Sequence, residues 1–223
     1  MNKIKYIAAV VIAIAGLGLQ QAKADSFSFN LTGSNIGFSG NLISVTVNRT
    51  STGSATITFT SLTQSGNIFL MGGQGAVAVN LNVMSNTFGA TASPAGTNSG
   101  TGFTPGPLNV NFFQNEDGFG SFNTTYDSFD GFTHSSDSIS FNVVTVAGSW
   151  ATAHDVLTAN GSGFLAAAHI FVTSSPANAA NGAINTGFAA GNGTPSVPDG
   201  GTTAMLLGAA FGVLGMARRF LKM

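Results

Sequence analysis

The sequence predicts an all-β chain: a single antiparallel β-sandwich, jelly-roll-like, with an N-terminal signal peptide before it and a C-terminal transmembrane helix after it. Three observations predict this. Apolar and polar residues alternate with period two in run after run. Clusters of Gly, Asn, Ser and Asp cut those runs into short strands. The apolar stretches suited to a membrane lie at the two ends of the chain.

The elements follow in order. Lys3 and Lys5 make a basic start, Ile7 to Leu19 an apolar run, and Ala22-Lys23-Ala24 an A-x-A site. This predicts a signal peptide over residues 1–24 with cleavage before Asp25. Phe27, Phe29 and Leu31 alternate with Ser28 and Asn30, and Val45 and Val47 follow. Ala55, Ile57 and Phe59 alternate with threonines, Val77 to Val83 with Ala78, Asn80 and Asn82, and Ile139, Phe141 and Val143 with Ser140 and Asn142. β-Branched and aromatic residues at alternate positions suit a pleated surface with one buried face. Gly33-Ser34-Asn35, Ser51-Thr52-Gly53, Ser65-Gly66-Asn67 and Glu116-Asp117-Gly118 read as turns, and Thr91 to Pro107 as a long loop. Phe164 to Val172 reads as a buried strand, and Ala151 to Leu157 has room for a helical turn. The sandwich domain is placed at residues 25–175 and a linker, poor in bulky side chains, at 176–196.

The tail, residues 197–223, has three parts. Val197-Pro198-Asp199-Gly200-Gly201 cannot continue a helix, because proline fixes φ and pushes the residue before it to an extended conformation. Thr203 to Ala217 would form an apolar helix about 22 Å long. Phe220 and Leu221 lengthen it if Arg218 and Arg219 snorkel. Arg218, Arg219 and Lys222 then stay on the cytoplasmic side.

Composition narrows the function. Cysteine is absent, so the exported domain holds together without disulfides. Between Asp25 and Ser196 there are seven acids and one base, Arg49. Nucleic acid, which needs Lys and Arg against its phosphates, is disfavoured as a partner.

Chemistry-bearing residues are few. His134, His154 and His169 are the histidines, with no H-E-x-x-H. His154 beside Asp155 could orient an imidazole, yet no G-x-S-x-G elbow supplies a nucleophile. The chain is therefore expected not to be an enzyme. Five acids fall between Glu116 and Asp137. Calcium takes several oxygen ligands with carboxylates among them, so Glu116, Asp117, Asp127 and Asp130 are the candidate set, and calcium is the one cofactor considered. Phe112, Phe113, Phe119, Phe122, Tyr126, Phe129 and Phe132 share that stretch. They would form either core or, beside the carboxylates, a sugar platform. Trp150 is expected in the core.

On Val197, Pro198, Asp199, Gly200, the apolar helix and Arg218-Arg219, the tail resembles a PEP-CTERM sorting signal of the VPDSG-CTERM group. The resemblance covers about an eighth of the chain. It implies processing by an exosortase near the proline motif, transient anchoring in the inner membrane, and passage to the cell surface or extracellular matrix in association with exopolysaccharide. The function expected is thus a structural role in an exopolysaccharide or biofilm matrix. The alternative is an extracellular carbohydrate-binding module, with or without calcium.

Overall fold

The computed structural model describes residues 25–83, 85, 86 and 102–193. The signal peptide, most of the Thr91–Pro107 loop and the whole sorting tail lie outside them. No helix among the described residues is long and apolar enough to cross a membrane.

Among the described residues fourteen strands form: β1 (Asp25–Ser34), β2 (Ser39–Ser51), β3 (Ser54–Ser61), β4 (Thr63–Gln64), β5 (Asn67–Met71), β6 (Val77–Val79), β7 (Ser85–Asn86), β8 (Asn109–Asn111), β9 (Gln114–Glu116), β10 (Gly120–Phe122), β11 (Thr124–Asp127), β12 (Ser138–Thr145), β13 (Ala166–Ser174) and β14 (Asn185–Gly191). The long strands fall where alternation places them. Phe27, Phe29 and Leu31 in β1, Ile57 and Phe59 in β3, and Ile139 and Phe141 in β12 all point into the core, and the residues between them face outward. Two-residue turns close the β2–β3 and β4–β5 hairpins. At Ser65-Gly66 both residues have positive φ, 50° and 78°, the twist that a tight antiparallel turn needs.

The expected two-sheet sandwich does not form. Twelve strands make one hydrogen-bonded antiparallel sheet in the order β7-β12-β3-β2-β1-β14-β13-β6-β11-β8, with β5 added on β13 and β4 on β5. The sheet is open and curls around its core as a half-barrel. The cause is β14, which lies inside the segment expected to be a linker. It pairs with β13 over seven residues and reaches β1 through Gly33 and Ser34. That narrow junction joins what would otherwise be two sheets. Curling brings β5 round to the start of β12, where Met71 and Ser136 exchange two backbone hydrogen bonds of 2.7 Å. Ser61 N–H donates to the Asp137 carbonyl beside them, also at 2.7 Å.

Gly191 sits at the β1–β14 junction. A methyl group on it would lie 2.5 Å from the Asn30 carbonyl oxygen, a backbone atom that cannot swing away. Gly191→Ala is expected to destabilise the fold by about 1–3 kcal/mol, read as a lower urea midpoint at unchanged slope.

The two outer faces of the curl differ. A hairpin of β9 and β10 packs Phe119 and Phe122 over Ala78, Ala167 and Ala190, and so covers β6, β13 and β14. Phe103 and Phe132 pack over Ile68 and Leu70 on β5. β13 is therefore buried on both faces, which explains its unbroken Ala-Ala-Ala and Ile-Phe-Val runs. The outer face of β1, β2, β3 and β12 carries only polar side chains at its central positions.

Candidate functional site

The strongest chemical constellation surrounds the Gly72–Gly75 loop between β5 and β6. Gly73 and Gly75 have φ of +75° and +63°, which favours glycine. The absence of side chains there lets others come close. A methyl group on Gly75 would lie 2.2 Å from Oε2 of Glu116, so the Glu116 carboxyl fills the space a side chain would take. Glu116 comes from β9, in the covering hairpin, and is 1% exposed. Neither of its oxygens has a hydrogen-bond partner.

Asp127, at the end of β11, lies on the other side of the loop. Its Oδ1 accepts the Gly75 N–H at 2.8 Å. Its Oδ2 accepts from Gln114 Nε2 at 3.0 Å and from Asn111 Nδ2. The pair is thus asymmetric, one carboxylate held by three donors and one carboxyl with none. Burial, and secondarily the charge of Asp127, pushes the Glu116 pKa up to about 8. Glu116 therefore carries its proton at neutral pH. A cleft of about 270 Å³, lined by Gln74, Gln114, Asn115, Glu116 and Phe188 among others, opens beside it.

His169 of β13 closes the neighbouring side. Its N–H donates to Gly75 O at 2.9 Å, its ring stacks on Phe188 at 4.6 Å, and its Nε2 is 3.0 Å from Thr186 Oγ1. Burial holds its pKa below the ordinary 6.5, with the Gln74 backbone and Asp130 acting against that.

A protonated carboxyl beside a carboxylate is the pattern of acid–base hydrolysis. Here both Glu116 oxygens are closed off from solvent, so no substrate atom reaches them in this arrangement. The pair is a buried proton-holding centre of the fold.

The residues expected to bind calcium separate. Glu116 and Asp127 meet across Gly75, whereas Asp117 lies in the exposed β9–β10 turn and Asp130 is an exposed loop residue near His169. Among the described residues no group of three or more His, Asp and Glu side chains could hold a metal ion. The aromatic stretch divides as well. Phe119, Phe122 and Tyr126 are buried, while Phe112, Phe113 and Phe129 are more than half exposed. Trp150 is fully buried.

His154 packs edge-on against Phe27 at 4.6 Å, and Asp155 Oδ2 is taken by Thr152 N–H and Oγ. Asp25, the expected first residue after signal cleavage, opens β1. It accepts the Ala153 N–H and lies 3.6 Å from Arg49 Nε. Ala22, Ala24, Val197, Pro198, Asp199, Gly200, Gly201, Arg218 and Arg219 lie outside the described residues.

Sequence reasoning missed the burial of Glu116, because Asn-Glu-Asp-Gly has the composition of a solvated turn. The available signal was the pair Phe119 and Phe122, apolar enough to press this hairpin onto the sheet.

Compared with protein families, residues 196–220 match the VPDSG-CTERM motif. No curated protein matches the chain, and no solved structure does.

Proposed function

From the premise that the chain carries a VPDSG-CTERM motif, an exosortase-dependent sorting signal for surface or extracellular targeting, we propose that it is an exported surface or matrix protein with a non-catalytic, structural role among exopolysaccharides. The motif is the observation that carries this reading. The inner membrane serves as a transient anchor and the exosortase as the processing partner. The basic start and the A-x-A site before Asp25 fit the same route. The fold supports it through what it lacks in charge: Arg49 is the one Lys or Arg among the described residues, against seven acids. Such a domain repels anionic polymers and relies on neutral polar surface.

Intact mass of the protein from its host's extracellular fraction tests this. The expected species starts at Asp25 and ends between Val197 and Gly201, with any surplus mass marking glycosylation or a new anchor. A species that keeps Arg218-Arg219 and is confined to the inner membrane would overturn the reading.

A further inference from the structure

The open outer face of β1, β2, β3 and β12 is a regular grid. In its central row Ser28 pairs with Thr46, Thr46 with Thr58, and Thr58 with Ser140. The hydroxyls link across strands, Ser28 to Thr46 at 3.0 Å and Thr58 to Ser140 at 2.9 Å. Two flanking rows, Ser26 to Asn142 and Asn30 to Ser138, repeat the register. Every one of these outward positions is Ser, Thr or Asn, and none is charged, aromatic or aliphatic. Neighbouring strands lie about 4.8 Å apart, and alternate residues along a strand are about 6.8 Å apart.

The row that contains Thr60 and Ser138 runs into a cleft of about 360 Å³ at the seam of the curl. Thr63, Ser175 and Asp137 add polar groups to it, and Ile68 and Pro176 give it an apolar wall. One Asp137 oxygen, Oδ1, is buried there without a hydrogen-bond partner. Grid and cleft are separate observations that meet along one row.

We infer that this face and its terminal cleft bind a neutral polysaccharide chain. The inference deepens the proposed matrix role and rests on it for the setting. Four points favour this occupant. A face without charge gives no purchase to nucleic acid, anionic lipid or a charged protein patch. Rows of donor–acceptor hydroxyls match a partner that is itself a row of hydroxyls. A strand-to-strand step of about 4.8 Å is comparable with the length of one pyranose ring. Each such hydrogen bond is weak in water, so affinity must come from many repeats engaged together, which a polymer supplies. The acidic excess of the domain makes the polymer neutral rather than anionic.

The test is co-sedimentation of the purified full chain, in mild detergent, with particulate neutral glucan, mannan and chitin and with an insoluble polyuronate. Thr46→Val with Thr58→Val removes central hydroxyls and keeps shape and strand preference. Thr60→Val with Thr63→Val does the same at the cleft. Ser121→Ala, on the covering hairpin, is the control. We expect retention on at least one neutral polymer and none on the polyuronate. Each double variant should bind about tenfold or more weakly at an unchanged unfolding temperature, with the control equal to the parent. Absence of retention on every neutral polymer, stronger retention on the polyuronate, or full retention by both double variants would each overturn the inference. Retention is measured on purified protein, so its outcome is independent of the mass experiment that tests export.

Discussion

Raising the pH from 4.5 to about 8 lowers the stability of this protein by as much as about 5 kcal/mol through Glu116, and Glu116→Gln removes that loss. The sign follows from the raised pKa, about 8 in the folded chain against an ordinary 4.5. Between these values the folded state holds a proton that the unfolded state has released, so stability falls as pH rises. The contribution is fully present below pH 4.5, declines through the window, and is gone above about 8. A shift of this size is worth about 5 kcal/mol, a large share of the 5–15 kcal/mol typical of a domain. Gln keeps the shape of the neutral carboxyl and does not titrate.

Urea unfolding of parent and variant at pH 4.5, 6.5 and 8.5 measures the difference. The two curves should lie close at pH 4.5 and diverge by several kcal/mol at pH 8.5, the variant being the more stable. Asp137, also raised by burial, adds a loss of the same sign just above its ordinary 3.8. His169 works in the opposite sense, since a lowered pKa costs stability as pH falls through 6.5. Both are present in parent and variant, so the difference isolates Glu116. Equal pH dependence in the two proteins would sink the assignment.

Trp150→Ala should lower stability by about 3–5 kcal/mol. Trp150 is fully buried among the residues of the main core. Its indole N–H donates to Asn82 O at 2.9 Å, and its backbone N–H donates to Thr52 O at 2.8 Å. It thus ties the loop after β12 to the β2–β3 turn and to the segment after β6. Truncation leaves a cavity and an unpaired carbonyl at Asn82. Trp150→Phe refills most of the cavity and still loses the N–H, so it should cost about 1–2 kcal/mol. A lower urea midpoint at unchanged slope, in that order of severity, is the expected result. Equal stability of the two variants would show that cavity volume is not what Trp150 contributes.

The inner face of β1, β2, β3 and β12 was legible because alternation is a local property. Phe29, Val45, Phe59 and Ile139 had only to repeat every second residue, whatever lay opposite them. The 3₁₀ turn at His154–Val156 and the buried run in β13 were legible for the same reason. Strand β14 was not, since Asn-Thr-Gly-Phe-Ala-Ala-Gly has little β-branched or aromatic content and is held by its neighbours rather than by its own preference. The placement of the acids was not legible either: Glu116 and Asp127 meet at Gly75 while Asp117 and Asp130 stay exposed, and adjacency in sequence does not say which side of a turn a carboxylate takes.

The sequence by itself determined the all-β character, the buried face of each long strand and the sorting motif, because composition, periodicity and short motifs act through neighbouring residues. Tertiary structure alone decided that the strands form one curled sheet, that Glu116 is shut in with its proton, and that Ser, Thr and Asn of four strands align in rows. Each of these depends on register between segments far apart in the chain, which hydrogen bonding fixes only once the strands have met.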